Sequence, residues 1–381
     1  MMVTRRERLM ATLRGETVDR PPVNFYEIGG WTPDPDDPDP YNVFQGPGWR
    51  ELLQFAEEET DLIRMIPPER TPTPDNPRDE FRQVQTYEDG GSRYTQETWH
   101  IAGRDLTSLT RRDRDVATTW TLEPLLKDAD DVRAYLELPD AVFSYETSVE
   151  ELKAAEAALG DAGIVMVDTH DPLCAAAGLF SMEGYTIVAL TESSLFHRLL
   201  QKLARPLYAT VRTVARDFPG HLWRVVGSEY ASEPFLPPSL YEAYEVRYTQ
   251  PIIDAIQRDG GYARLHSHGR LARILPAIVG MGVDGLDPIE PPPQGDVALI
   301  DVRRQYGDQM VLFGNLEASE IENLPPDAFE ARVREALRQG TAGTGRGFVL
   351  MPSACPYGRE INTRVMTNYR TMVRLATTWD G

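Results

Sequence analysis

Only two cysteines, Cys174 and Cys355, occur in 381 residues, which excludes a disulfide framework and leaves each thiol for packing or metal ligation. Cys174 lies among small apolar residues in DPLCAAAG and reads as core. Long hydrophobic runs are also missing. Nothing approaches the roughly 18 consecutive apolar residues of a membrane span, and the opening MMVTRRERLMATLRGE has no sustained apolar stretch, so a cytoplasmic protein is expected. Positive charge is scarce: 39 Lys and Arg stand against 59 Asp and Glu, a net charge of −20. That balance repels nucleic-acid phosphates and anionic membranes, and points to small molecules or proteins as partners. No G-x-G-x-x-G turn follows an early strand and no P-loop pattern appears, which argues against a nucleotide-binding sheet.

What is present is alternation. At 41% hydrophobic content the chain can bury a large core. Thr4, with Glu7 three residues on, predicts a capping box opening a helix that Gly15 closes. RPPVNFYEI predicts a first strand, and the Pro- and Asp-rich stretch 29–48 a long loop after it. DLIRMI reads as a second strand. Residues 81–110 alternate around a DGG turn and predict a β-hairpin excursion, placed as an insertion over 67–118. From IVMVDTHD onward strand and helix alternate through HLWRVVGSEY, YARLHSHG, VDGLDPIE, MVLFGNL and GFVLMPSA. Parallel βα units at this spacing predict an α/β chain folded as one (β/α)8 TIM barrel over 1–381, with the hairpin excursion and an N-terminal helical extension.

In such a barrel the C-terminal strand ends meet at one rim. They carry Asn24, Tyr26 and Glu27; Asp168, His170 and Asp171; Glu229 and Tyr230; His266 and His268; Asp287 and Glu290; Asn315 and Glu317; Ser353 and Cys355. Crowded carboxylates are costly unless a cation or shared protons offset them. His266 and His268, two apart at a strand end, leave the same face and can converge on one ion. With Glu290 and Cys355 they make a tetrahedral zinc set of two imidazoles, a carboxylate and a thiolate. Glu229, Asp168 and Asp171 are the candidates for handling protons, although the two aspartates equally suit capping a helix that begins near Pro172. Tyr26, Glu27, Tyr230 and Asn315 are candidate substrate contacts.

TRRERLMATLRGETVDRPPV, LHSHGR followed by GMGVDGLDPIE, VLFGNLEA, and FVLMPSACPYG with INTRVMTNY together resemble the uroporphyrinogen decarboxylase-like superfamily over nearly the whole chain. The resemblance implies a (β/α)8 barrel and two chemistries. Its decarboxylases use an arginine-rich signature to hold substrate carboxylates; the corresponding NFYEIGGWTPDPDD here has no arginine and several aspartates. Its zinc methyltransferases, which exchange methyl groups with corrinoid proteins or thiols, carry His-x-Cys, a later Glu and a distant Cys. His266, Glu290 and Cys355 match that pattern, and His268 stands where its first cysteine stands. Imidazole in place of thiolate brings the formal charge of a zinc site to near zero instead of roughly −1, leaving a stronger Lewis acid. The resemblance therefore implies a methyltransferase moving a methyl group from a small methylated O- or N-substrate to the cobalamin of a separate corrinoid protein, since no D-x-H-x-x-G pattern is present. A homodimer is compatible with it. A lyase acting on a small carboxylate and a non-catalytic ligand-binding barrel are the alternatives.

Overall fold

The computed structural model describes residues 3–380. Seven parallel strands form one curled sheet in chain order: β1 Leu62–Ile66, β2 Gly163–His170, β3 Leu222–Val226, β4 Tyr262–Ser267, β5 Gly285–Pro288, β6 Val311–Leu316 and β7 Phe348–Pro352. Their β-branched and aromatic residues suit a sheet covered on both faces. Successive side chains of a strand face opposite ways, and the core divides accordingly. Ile63, Met65, Ile164, Met166, Leu222, Val311, Phe313, Val349 and Met351 pack inside the curl, joined by Leu9, Leu13 and Tyr26. Alternate residues such as Val165, Val167, Trp223, Val225, Leu312 and Leu350 belong to the larger cluster that includes the surrounding helices.

The expected first strand is shorter than the sequence suggested. Val23 makes a single parallel bridge to Leu350 of β7, with Asn24 N donating to Leu350 O and Leu350 N to Pro22 O. On its other side the Val23 carbonyl accepts from Asp61 N, just before β1. The stretch thus lies between the two edge strands, where two prolines withhold the donors a full ladder needs.

The N-terminal helix Arg5–Leu13 starts on a capping box between Thr4 and Glu7. The excursion after β1 is larger than one hairpin and runs past residue 118. Arg82–Asp89, Ser92–Ile101, Arg104–Arg112 and Thr119–Glu123 form a four-stranded antiparallel sheet, and Glu69–Pro72 pairs with Tyr145–Ser148. The loop after Tyr26 is held in place by arginines: Arg359 donates to Pro40 O and Asn42 O, and Arg93 pairs with Asp39. Among the described residues no helix is long and apolar enough to cross a membrane.

Candidate active site

The strands deliver the expected residues to one rim. His266, next to last in β4, has its side chain on the same face as Arg264, and both are buried. Asp287 of β5 joins them: its carboxylate accepts two bonds of 2.6 Å from Arg264 and one of 2.7 Å from His266 Nδ1. Burial alone would raise the Asp287 pKa, but Arg264 and the imidazole outweigh it and hold the carboxylate well below its usual range. The Tyr26 ring stacks on His266 with centroids 5.7 Å apart, and Arg264 lies over the Tyr26 and Phe313 rings.

One turn outward the arrangement repeats. His268 Nδ1 meets Glu290 Oε1 at 2.8 Å, and Gly269 N donates to Glu290 Oε2 at 2.7 Å. Burial opposes charge on His268, yet Glu290 prevails and raises its pKa; the carboxylate in turn is lowered, chiefly by His268, against its own burial. The two imidazoles sit edge to face with centroids 4.5 Å apart. With both Nδ1 atoms committed to carboxylates, each Nε2 is the ring nitrogen left to ligate or to exchange a proton.

The structure brings Glu317 and Asn315 to the same rim. Glu317 Oε2 accepts from Ser353 while Oε1 is buried without a partner, and burial together with Glu290 pushes its pKa up to about 7. The Asn315 amide donates to Ile289 O. Gly314, at φ +145°, allows β6 to approach β5, because a Cβ there would sit 2.1 Å from Pro288 O. Tyr26 and Ile289 hold positive φ values of 57° and 55°, strain that falls beside the candidate residues Glu27 and Glu290.

Other expected residues are placed differently. Glu27 Oε2 accepts from Cys355 N at 3.2 Å; burial and Glu27 push the Cys355 thiol pKa well up. Asp168 forms a two-pronged pair with Arg224, whose guanidinium also donates to the Tyr26 hydroxyl. Asp171 caps the helix Pro172–Ala177, receiving Cys174 N at 2.6 Å, so its capping role is real. Tyr230 is half-buried in an aromatic group with Tyr185 and Phe235. Glu229, on the turn after β3, has a buried Oε2 without a partner. Sequence reasoning passed over Arg224, Arg264 and Glu245. The signal for the arginines was available, a charge inside each of the apolar runs LWRVV and YARLHS on the face that carries His266.

The four expected zinc ligands are not gathered as one shell. Both Glu290 oxygens are taken, and among the described residues no three His, Cys, Asp or Glu side chains are grouped to hold an ion. Nor does cavity size mark the rim. A cavity of about 610 Å³ opens elsewhere, lined by Thr73, Asp140, Lys202 and Arg205, whereas one of about 250 Å³ reaches Asp168 and His170.

A curled parallel sheet with polar side chains collected at its C-terminal rim defines a TIM-like α/β protein of an enzyme class. More particularly, the chain belongs to the uroporphyrinogen decarboxylase (URO-D) family, whose model matches residues 118–368. Among solved structures it is similar to a methyltransferase from Methanosarcina mazei, with 15% identity, 99% of each chain covered and a TM-score of 0.60, a likeness of fold. A GH18 chitinase from Pseudoalteromonas aurantia overlaps loosely, at 8% identity over 59% of this chain and 82% of its own, with a TM-score of 0.33. No curated protein matches the chain in sequence.

Proposed function

We propose that the rim is the active site of a methyltransferase that moves a methyl group from a small O- or N-methylated substrate to the cobalamin of a separate corrinoid protein. The observation that carries this reading is the pair of carboxylate-backed histidines, His266 on Asp287 and His268 on Glu290. Carboxylates hold zinc-ligating imidazoles in this way, fixing the tautomer and leaving Nε2 outward. The donor types suit zinc, whereas the quartet as a closed shell does not fit, and Glu290 is better assigned to holding His268 than to ligation. His266 and His268, side by side with Nε2 free, are the pair that would hold the ion, and Cys355, which the fold does not group with them, is the expected third ligand. Zinc there would supply Lewis acidity toward the substrate heteroatom.

The protein's own groups supply the rest. Glu317, with its pKa near 7 and one oxygen unpaired, is suited to protonate the departing oxygen or nitrogen. Tyr26, stacked on His266, and Asn315, bonded to the Ile289 carbonyl beside Glu290, are the candidate substrate contacts. The likeness to the archaeal methyltransferase supports the reading at the level of fold. The family's decarboxylase chemistry is disfavoured by charge: Arg224 and Arg264, the arginines inside the curl, are spent on Asp168 and Asp287. Neither is free for a substrate carboxylate.

Elemental analysis of wild type, His268→Ala and Cys355→Ala, purified without chelator, tests the proposal. About one zinc per chain, lost in both variants, is the expected result. It would be followed by assay of methylated ethers and amines with reduced corrinoid. Wild-type protein that neither contains zinc nor takes it up on reconstitution overturns the metal centre.

A further inference from the structure

Behind the rim lies a second group of carboxylates that the proposed chemistry does not use. Glu245 is completely buried, on the π-helical turn Glu242–Val246, and neither of its oxygens receives a hydrogen bond from a donor group. Extra residues of this kind in a helix often mark functional positions. Asp171, also completely buried, spends Oδ1 on the helix cap, while its Oδ2 is unpartnered. The two side chains lie within hydrogen-bonding reach of each other. Two ionised carboxylates are both acceptors, so that contact becomes a bond only when one oxygen carries a proton.

A neutral donor beside Glu245, the Thr249 hydroxyl, is itself buried without a hydrogen-bond partner. Cys174, Glu229, Tyr185, Tyr230, Tyr241, Tyr244 and Tyr208 are the titratable groups nearest the pair, and the cation felt in this neighbourhood, Arg224, is committed to Asp168. Among the described residues no salt bridge reaches Asp171, Glu229 or Glu245, and no metal-holding group is present. Gly227 makes the close packing possible, since a Cβ there would meet the two Asp171 oxygens at 2.4 and 2.5 Å. Glu229 lies between the pair and the rim: its turn, Ser228–Ala231, packs against the helix Pro172–Ala177 and the π-helical turn Glu242–Val246 on one side and against β4 on the other.

We propose that Asp171 and Glu245 share one proton at neutral pH, and that this buried acid is the proton store behind Glu229, whose charge governs when the pair lets the proton go. On release, one carboxyl O–H bond in the pair breaks and one forms on the Glu229 carboxylate, with no change of oxidation state. Burial and mutual repulsion, which raise the pKa values of both members, act in the same direction. Glu245 is a positioning residue in this scheme. The role rests on the rim being the active site, but its test needs neither metal nor substrate, so failure of the zinc proposal leaves it standing.

The test is infrared spectroscopy of the resting protein, with carboxyl-13C label placed in aspartate and in glutamate separately. A protonated-carboxyl C=O band at neutral pH is expected in the wild type, and its loss in Glu245→Gln. In Glu229→Gln the band should disappear at a pH lower by on the order of one unit, because a like charge has been removed. Absence of the band in wild-type protein under either label overturns the shared proton. A titration unmoved by Glu229→Gln overturns the link to the rim. Should Glu245→Gln fail to fold, the labelled wild type and Glu229→Gln still decide both points.

Discussion

Asp287 is the side chain on which most of the rim depends. It neutralises Arg264 and orients His266, all three inaccessible or nearly so. Asp287→Ala would strand a guanidinium in the interior, and breaking a buried pair from one side costs about 3–5 kcal/mol. Urea unfolding measures this, and a loss below about 1 kcal/mol would mean that Arg264 finds another partner. The pH dependence has a definite sign. The folded carboxylate titrates below its ordinary value, so its stabilisation is complete above about pH 4 and is lost as pH falls toward the folded value. Glu290 invites a subtler test. If it backs His268 rather than ligating, Glu290→Gln weakens zinc affinity about 10- to 100-fold yet still binds one ion at saturation. Complete loss of binding would return Glu290 to the ligand set. His266, His268 and Glu290 were legible in the sequence because strand periodicity and the apolar runs before them fix their rim position. Their carboxylate partnerships were not, since register between β4 and β5, which sets His266 opposite Asp287, is a tertiary fact.

At the scale of elements, two backbone features hold the site in place. Gly227→Ala would put a Cβ against Asp171 and against Cys174 Cβ at 2.5 Å, at a φ of +137° that L side chains rarely adopt. The expected outcome is a melting temperature lowered by several degrees, read by calorimetry, with the same substitution at open Gly220 as the milder control. The aspartate-rich loop after Tyr26 is tethered rather than loose. Arg359→Ala removes its bonds to Pro40 and Asn42, so limited proteolysis should cut within residues 32–46 sooner than in wild type, with little change in global melting. Equal cleavage rates would mean that the Arg93–Asp39 pair alone suffices. The alternation of strand and helix was plain in the sequence, because its period switches cleanly. The first strand and the size of the excursion were misjudged for a common reason. Val23 is extended with only one bridge, and Thr119–Glu123 is a short exposed edge strand whose pairing with the preceding Arg104–Arg112 carries a register shift. In both, pairing is short or irregular, which residue propensity does not report.

For the whole molecule, stability against pH is a contest between two kinds of buried acid. Asp287 loses its stabilisation as pH falls, as argued above. Asp171, Glu245 and Glu317 have folded pKa values raised by burial, so folding favours their protonated forms. Unfolded chains then release those protons at lower pH than the native state does, and stability declines as pH rises from the ordinary carboxylate range toward the folded values. The net charge of −20 adds general self-repulsion on the same alkaline side, but that contribution is screened by salt, whereas the buried acids are shielded from it. Melting temperatures between about pH 4 and about pH 9 should therefore peak under mildly acidic conditions. In Glu245→Gln the alkaline decline should be shallower, and moderate salt should not abolish the difference from wild type. If salt alone flattens the wild-type curve and Glu245→Gln matches it throughout, the decline belongs to surface charge and the interior carboxylates contribute nothing to it.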